Sequence, residues 1–202
     1  AQIDGEADIS LSAGNTGVLF VISKMILKMM NEVSKPALAG LWPSKKGMSV
    51  VLDLGANIEC DEKNLVDFSE MGAALYKSIF PDQKPHVSLL NIGSEEIKGT
   101  EVLKKTYSKL KSLSNEKNFL FNGYIEGNNL MEGKTNVIVT DGFTGNIALK
   151  TAEGTAKFVV DSLKESLNEN IFSKFSIIFS YFSLKKFKSK LDPRKYNGAI
   201  FL

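Results

Sequence analysis

Three features of the sequence predict an α/β fold built on a mostly parallel sheet. Strand-like apolar runs alternate with segments of helical periodicity, and four times such a run ends in a glycine-rich polar loop that opens a helix. No internal repeat or low-complexity linker breaks the order. The loops are Ser12-Ala13-Gly14-Asn15-Thr16-Gly17, Asp53-Leu54-Gly55-Ala56-Asn57, Asn91-Ile92-Gly93-Ser94-Glu95-Glu96-Ile97-Lys98-Gly99 and Asp141-Gly142-Phe143-Thr144-Gly145-Asn146. Alternation of this kind builds βαβ units with helices on both faces of the sheet. Loops at the carboxyl ends of parallel strands then share one edge, where such folds bind ligands. Glycine permits close backbone approach, and helix N-termini offer unpaired N–H groups with partial positive charge. The repeated design points to an anion, phosphate above all.

The elements follow in order. Ala7 to Leu11 reads as a short buried strand. Val18, Leu19, Ile22, Met25, Ile26, Met29 and Met30 then recur at helical spacing, with Ser23, Lys24 and Lys28 opposite. The methionines read as core packing. A loop through Pro36 and Pro43 leads to a second buried strand, Met48–Leu54. Asp61 is placed to cap a helix carrying Leu65, Phe68, Met71, Gly72, Leu75 and Ile79, which Pro81 stops. His86–Asn91 is a third strand and Thr100–Leu113 a third helix. Asn118–Phe121 and Asn136–Thr140 are further strands, and Gly145 opens a long helix to about Leu167.

Residues 170–191 change character. Asn170 to Leu191 holds no acidic residue but has Lys174, Lys185, Lys186, Lys188 and Lys190, together with Phe172, Phe175, Phe179, Phe182 and Phe187. Ser173, Ser176, Ser180 and Ser183 form one narrow helical stripe, and apolar side chains take most of the rest. Such a helix is buried against something. Two readings are open: a subunit interface or core, or an interfacial helix on anionic lipid.

Composition narrows the classes. The 202 residues are 43% hydrophobic and 24% charged, as in an ordinary globular protein, and a net charge of +2 suggests no nucleic-acid partner. A single cysteine, Cys60, excludes an internal disulfide and fits a reducing cytoplasm. No run reaches the ~18 apolar residues of a membrane span. The chain starts at Ala1 rather than methionine, which hints at a natural N-terminus farther upstream.

The lone histidine, His86, has no histidine partner, which removes a Ser-His-Asp or zinc mechanism. No loop has the spacing of a Walker A motif. Asp53 and Asp141 each end a strand, where a carboxylate braces its own turn or acts as a base. Lys98 is the one cation within a strand-end loop, beside Glu95 and Glu96. Either the trio is a surface ion pair, or Lys98 holds phosphate or polarises a carbonyl.

At these loops the sequence resembles a known family. Ser12–Gly17, Leu52-Asp53-Leu54-Gly55-Ala56-Asn57, Leu89-Leu90-Asn91-Ile92-Gly93 with Glu95–Gly99, and Asp141-Gly142-Phe143 with Gly145-Asn146 and Leu149-Lys150 are similar to the phosphate acyltransferase (PlsX) family of phospholipid synthesis. Asn118-Phe119, Gly123, Glu126-Gly127, Glu153-Gly154 and Tyr196-Asn197-Gly198-Ala199 extend the match over nearly the whole chain, in order. The family has a further glycine-rich loop before this chain begins and a Ser-His-Gly motif after Leu202, so residues 1–202 are expected to be one domain incomplete at both ends. His86 stands where the family commonly has arginine.

The resemblance implies a three-layer α/β/α fold related to isocitrate and isopropylmalate dehydrogenases and to phosphotransacetylases, commonly a homodimer. It implies the conversion of acyl-[acyl carrier protein] and inorganic phosphate to acyl phosphate and free carrier, with no cofactor. Phosphate is itself the nucleophile, so no enzyme serine or cysteine is needed. On this basis Lys98, Asp141 and Asn146 are the candidate catalytic residues: Lys98 neutralises charge, Asn146 binds phosphate or the oxyanion, and Asp141 orients the cluster or moves a proton. Asn15, Thr16 and Gly145 join Asn146 in phosphate or oxyanion binding, with Asn57 and Lys150 as second choices. Phe175, Phe179, Phe182, Lys185 and Lys186 are the expected membrane or dimer contacts, and the protein is expected to be cytoplasmic, at most peripherally bound to membrane. A phosphotransacetylase-like enzyme using acyl-coenzyme A, and an inactive membrane-recruited scaffold, are the alternatives. A decarboxylating dehydrogenase would need an Asp cluster for a metal, which the sequence lacks.

Overall fold

The computed structural model describes residues 2–12, 14–113, 118–169, 179–187 and 198–201. They form two compact units, Ala1–Asn146 with Gly198–Leu202, and Ile147–Asn197.

The first unit is a six-stranded sheet with helices. Its strands are β1 (Ala37–Ser44), β2 (Gly47–Leu52), β3 (His86–Asn91), β4 (Leu120–Glu126), β5 (Val137–Val139) and β6 (Gly198–Phe201). In space they run β4-β3-β5-β2-β1-β6. The four strands β4, β3, β5 and β2 are mutually parallel, whereas β1 pairs antiparallel with both β2 and β6. The fold is therefore α/β with a mostly parallel sheet, as expected.

Helix α2 (Glu62–Ile79) begins at Asp61, whose carboxylate accepts the Asn64 N–H while the Asn64 side chain accepts from the Asp61 N–H. It ends at Ile79, two residues before Pro81. Its buried face, Leu65, Phe68, Met71 and Tyr76, lies in one core with Val50, Leu52, Val87, Leu89, Val137 and Val139 of the sheet. Gly72 lets helix and sheet meet closely, because a Cβ there would stand 2.7 Å from both Leu52 and Val137. Helix α3 (Glu101–Leu113) adds Leu110 to the same core. The opposite side chains of these strands, Val51, Ser88, Leu90 and Ile138, are buried too, as strands of a sheet covered on both faces require.

Four local expectations are corrected. Residues 7–11 are not a strand: Ile9 and Leu11 are exposed, and the sheet gives them no neighbour to pair with. The expected loop through Pro43 is instead β1. Proline is tolerated there because β6 pairs only with Ala37–Gly40, so Pro43 has a strand on one side alone. Helix α1 (Thr16–Leu27) stops before Met29 and Met30, which lie beyond its C-terminus rather than in a helical core. Strand β4 continues past Phe121 to Glu126. Asn122-Gly123 is a turn signal in isolation, but here Gly123 (φ +80°) sits at a bulge where β4 has one more residue than β3.

In the second unit, helix α4 (Gly142–Asn168) continues from Ile147, and residues 179–187 form a further helix, α5.

Candidate functional site

The carboxyl ends of four parallel strands meet at one edge of the sheet, at Asp53, Asn91, Glu126 and Thr140. From β2 the chain passes through α2 to β3, whereas from β5 it leaves toward β6 at the other side of the sheet. Adjacent strands whose connections diverge open a crevice at their ends. Two of the glycine loops lie at that point, and they interlock.

Asp53 is the centre of the interlock. Fully buried, it accepts through Oδ1 from the N–H groups of Leu38, Gly55 and Ala56 at 3.0, 3.1 and 2.9 Å. Its Oδ2 accepts from the Asn57 N–H and Asn57 Nδ2, both at 2.8 Å. A buried carboxylate demands such a set of donors, and here they shape the loop. Asn57 Nδ2 also donates to the Pro36 carbonyl at 2.7 Å, so this amide braces the turn. The Gly142 N–H donates to the Asn57 carbonyl at 2.7 Å and ties the β5 turn to the β2 loop. Gly145 packs so closely that a Cβ would collide with the Asp53 carbonyl oxygen, and its own N–H donates to the Asp141 carbonyl at 2.9 Å. Asn146 is exposed and lies over Gly55, whose φ of +133° suits glycine.

Asp141 caps α4, accepting from the Thr144 N–H and hydroxyl, each at 2.8 Å. The helix accordingly begins at Gly142, three residues before the expected Gly145. Lys98 lies on the next loop of the same edge, half-exposed, with its ammonium 2.9 Å from Glu95 Oε1. That hydrogen bond, with the charge of Glu95, raises the Lys98 pKa and holds it as a cation. Asn91 closes this loop, its Oδ1 accepting the Ile92 N–H and its Nδ2 donating to the Lys98 carbonyl at 2.9 and 3.0 Å.

The structure thus brings Asn57, Asp141, Gly145 and Asn146 together, with Lys98 on the neighbouring loop of that edge. Asn15 and Thr16 begin α1, and no described residue before them is in a strand. The Asn15 side chain accepts the Val18 N–H at 3.1 Å, capping its own helix. Lys150 belongs to the second unit, where it pairs with Glu153 at 2.8 Å. Phe175 lies outside the described residues. Phe179 and Phe182 are 89% and 83% exposed on α5, with Lys185 and Lys186 exposed beside them. The loop-closing role of Asn91 escaped the sequence reading, although its position at a strand end before a glycine was a usable signal.

Cys60 lies beside the Asp53 and Asp141 turns, and His86 at the far end of β3. Burial, and then the charge of Asp53, pushes the Cys60 thiol up to about 11. His86 starts β3, its N–H donating to Asn136 Oδ1 at 2.6 Å and its ring beside Asn122. Among the described residues no group of His, Cys, Asp and Glu is arranged to hold a metal.

Comparison with known proteins places this arrangement. The family model described as fatty acid synthesis protein matches residues 1–202. The phosphate acyltransferase of Pelagibacter ubique is 62% identical over 197 residues, covering 98% of this chain and 59% of that protein. Those of Brucella canis and Paramagnetospirillum magneticum are 43% and 44% identical, each covering 98% of this chain and 57% and 56% of theirs. The chain therefore spans less than two thirds of the length of these relatives. Among solved structures, a phosphotransacetylase from Streptococcus pyogenes matches with a TM-score of 0.59 at 17% identity, over 77% of this chain and 53% of its own. EutD phosphotransacetylase from Staphylococcus aureus matches with a TM-score of 0.56 at 16% identity, over 73% and 49%. Those likenesses show the fold alone. With the family model matched from end to end and the phosphate acyltransferases this close in sequence, the chain belongs to the fatty acid synthesis protein family.

Proposed function

We propose that this chain is part of a phosphate acyltransferase that makes acyl phosphate from acyl-[acyl carrier protein] and inorganic phosphate. The observation that carries the reading is the meeting of the β2 and β5 glycine loops at one sheet edge, in a chain 62% identical to a protein named phosphate acyltransferase. A phosphate oxygen attacks the thioester carbonyl, the C–S bond breaks, and the carrier's thiolate leaves and takes up a proton. The protein's task is to align two reactants, which supplies about 7–11 kcal/mol in the ideal case, and to stabilise the oxyanion. Lys98 and Asn146 offer the exposed cation and amide for this. The carboxylates of Asp53 and Asp141 and the side-chain amide of Asn57 hold the loops in shape. A homodimer working at an anionic membrane surface from the cytoplasmic side completes the reading. Its support is α5, where exposed Phe179 and Phe182 stand with Lys185 and Lys186.

The test is phosphate-dependent release of free carrier by the full-length protein, with acyl phosphate trapped by hydroxylamine. Lys98→Ala and Asn146→Ala should each slow turnover by about a hundred- to a thousandfold, the usual cost of losing one oxyanion donor, with thermal stability kept. Cys60→Ser and His86→Gln should be silent. Near-normal turnover in both site variants would remove these residues from the mechanism. Faster turnover of short acyl-coenzyme A than of acyl carrier protein would favour the phosphotransacetylase-like alternative.

A further inference from the structure

Two consecutive acids in the loop that carries Lys98 have separate duties. Glu95 stays within the loop, its carbonyl accepting the Lys98 N–H at 3.0 Å and its carboxylate pairing with the Lys98 ammonium. Glu96 leaves it: Oε1 accepts the Tyr107 hydroxyl at 2.7 Å and the Lys111 ammonium at 2.9 Å, both from α3. The Lys111 pair alone is an exposed ion pair of little value. Tyr107 differs because its ring is already fixed. It packs 5.1 Å from the Phe121 ring and 4.9 Å from the Tyr124 ring, over Gly123 of β4, where a Cβ would stand 3.4 Å away. A hydroxyl on an immobilised ring holds its acceptor without further loss of rotamer freedom. Asn91 pins the two ends of the loop, and Glu96 pins its middle, two residues before Lys98.

We propose that Tyr107 is a positioning residue for the acyl transfer described above, fixing the Lys98 loop through its hydroxyl bond to Glu96. The inference rests on that reading, since it needs Lys98 to face the reactants. Tyr107→Phe keeps the packed ring and removes only the hydroxyl. Tyr124→Phe is the control, because the Tyr124 hydroxyl is buried in the same cluster without a hydrogen-bond partner.

The experiment compares both variants in the full-length protein by steady-state kinetics and by hydrogen exchange of the amides of residues 92–98. Tyr107→Phe should lower kcat/KM about tenfold, mainly through KM for phosphate, as expected for a lost bond to a charged group. It should also speed exchange across 92–98 with an unchanged melting temperature. Tyr124→Phe should change neither. On a Lys98→Ala background, Tyr107→Phe should add less than about a twofold loss, because the two act as one unit. Unaltered exchange at 92–98, or a tenfold loss that persists without Lys98, would overturn the positioning role. Full turnover in Lys98→Ala alone overturns the parent reading and this one with it. That failure is distinguishable, because the exchange result does not depend on Lys98.

Discussion

Gly145 and Gly154 lie in one helix, and a methyl group would meet opposite surroundings at the two. At Gly145 it strikes the Asp53 backbone and the Thr140 methyl group, neither of which can yield, whereas at Gly154 it meets open space. Gly145→Ala should therefore destabilise the full-length protein by about 1–3 kcal/mol or more, and Gly154→Ala should stabilise it by about 1 kcal/mol through helix propensity. Urea midpoints of the two variants check the contrast. Cys60 supplies a second prediction at this scale. Burial pushes its thiol up to about 11 from the ordinary 9.0, so at pH 8 its thiolate is about a hundredfold rarer than that of an unperturbed thiol. The sign follows: a thiol favoured in its neutral form adds stability that is present below pH 9 and lost as the pH rises from about 9 to about 11. Alkylation of the native protein by iodoacetamide should be slow at pH 8 and accelerate toward pH 11. Fast alkylation at pH 8 would show an open, electropositive site instead.

Among the elements, α1 and α5 stand out for apolar surface left uncovered. On α1 Val18, Val21, Ile22, Met25 and Ile26 are exposed, with Met25 at 76%. On α5 Phe179 and Phe182 project beside exposed lysines, and each phenylalanine is worth up to about 1.5–3 kcal/mol if fully buried in lipid. Each lysine close to an anionic surface adds about 1 kcal/mol. On the membrane reading proposed above, replacing Phe179 and Phe182 by serine should abolish sedimentation with anionic liposomes while the protein's native mass and turnover of soluble substrate persist. A dimer that falls apart in the double variant would assign α5 to subunit contact. Binding that is unchanged and insensitive to salt would exclude the membrane role. No helix among the described residues is long and apolar enough to cross a membrane.

For the molecule as a whole, the proposed anion site has a thermodynamic consequence. A ligand that binds only the folded state stabilises it by about 2.7 kcal/mol at a hundred times its Kd. Inorganic phosphate should accordingly raise the melting temperature of the full-length protein, by less than about 4 °C per kcal/mol. Chloride at equal ionic strength should not, and Lys98→Ala should weaken the effect. A melting temperature indifferent to phosphate would count against a preformed site.

The sequence by itself determined the alternation of strands and helices, the capped start of α2 and the bounds of β3, because each rests on local chemistry, and the family, because its motifs recur in order along nearly the whole chain. Asp61 with Asn64 is a helix start in any context, and a run such as His86–Asn91 is buried wherever it falls. The tertiary structure alone decided which loops meet. Gly145, chosen from the sequence as an anion donor, uses its N–H within α4 and serves as the contact that seats the helix on the Asp53 loop. Asn15 lies in an equally glycine-rich loop, yet its side chain caps α1, and none of the described residues before it pairs with the sheet. Strand β1 stayed hidden behind Pro43 because proline forbids a central strand but not a half-paired end, and only the register with β6 distinguishes the two. Periodicity and capping are written within a few residues. Strand order and the convergence of loops depend on pairings across the whole chain, so they were settled only when the sheet assembled.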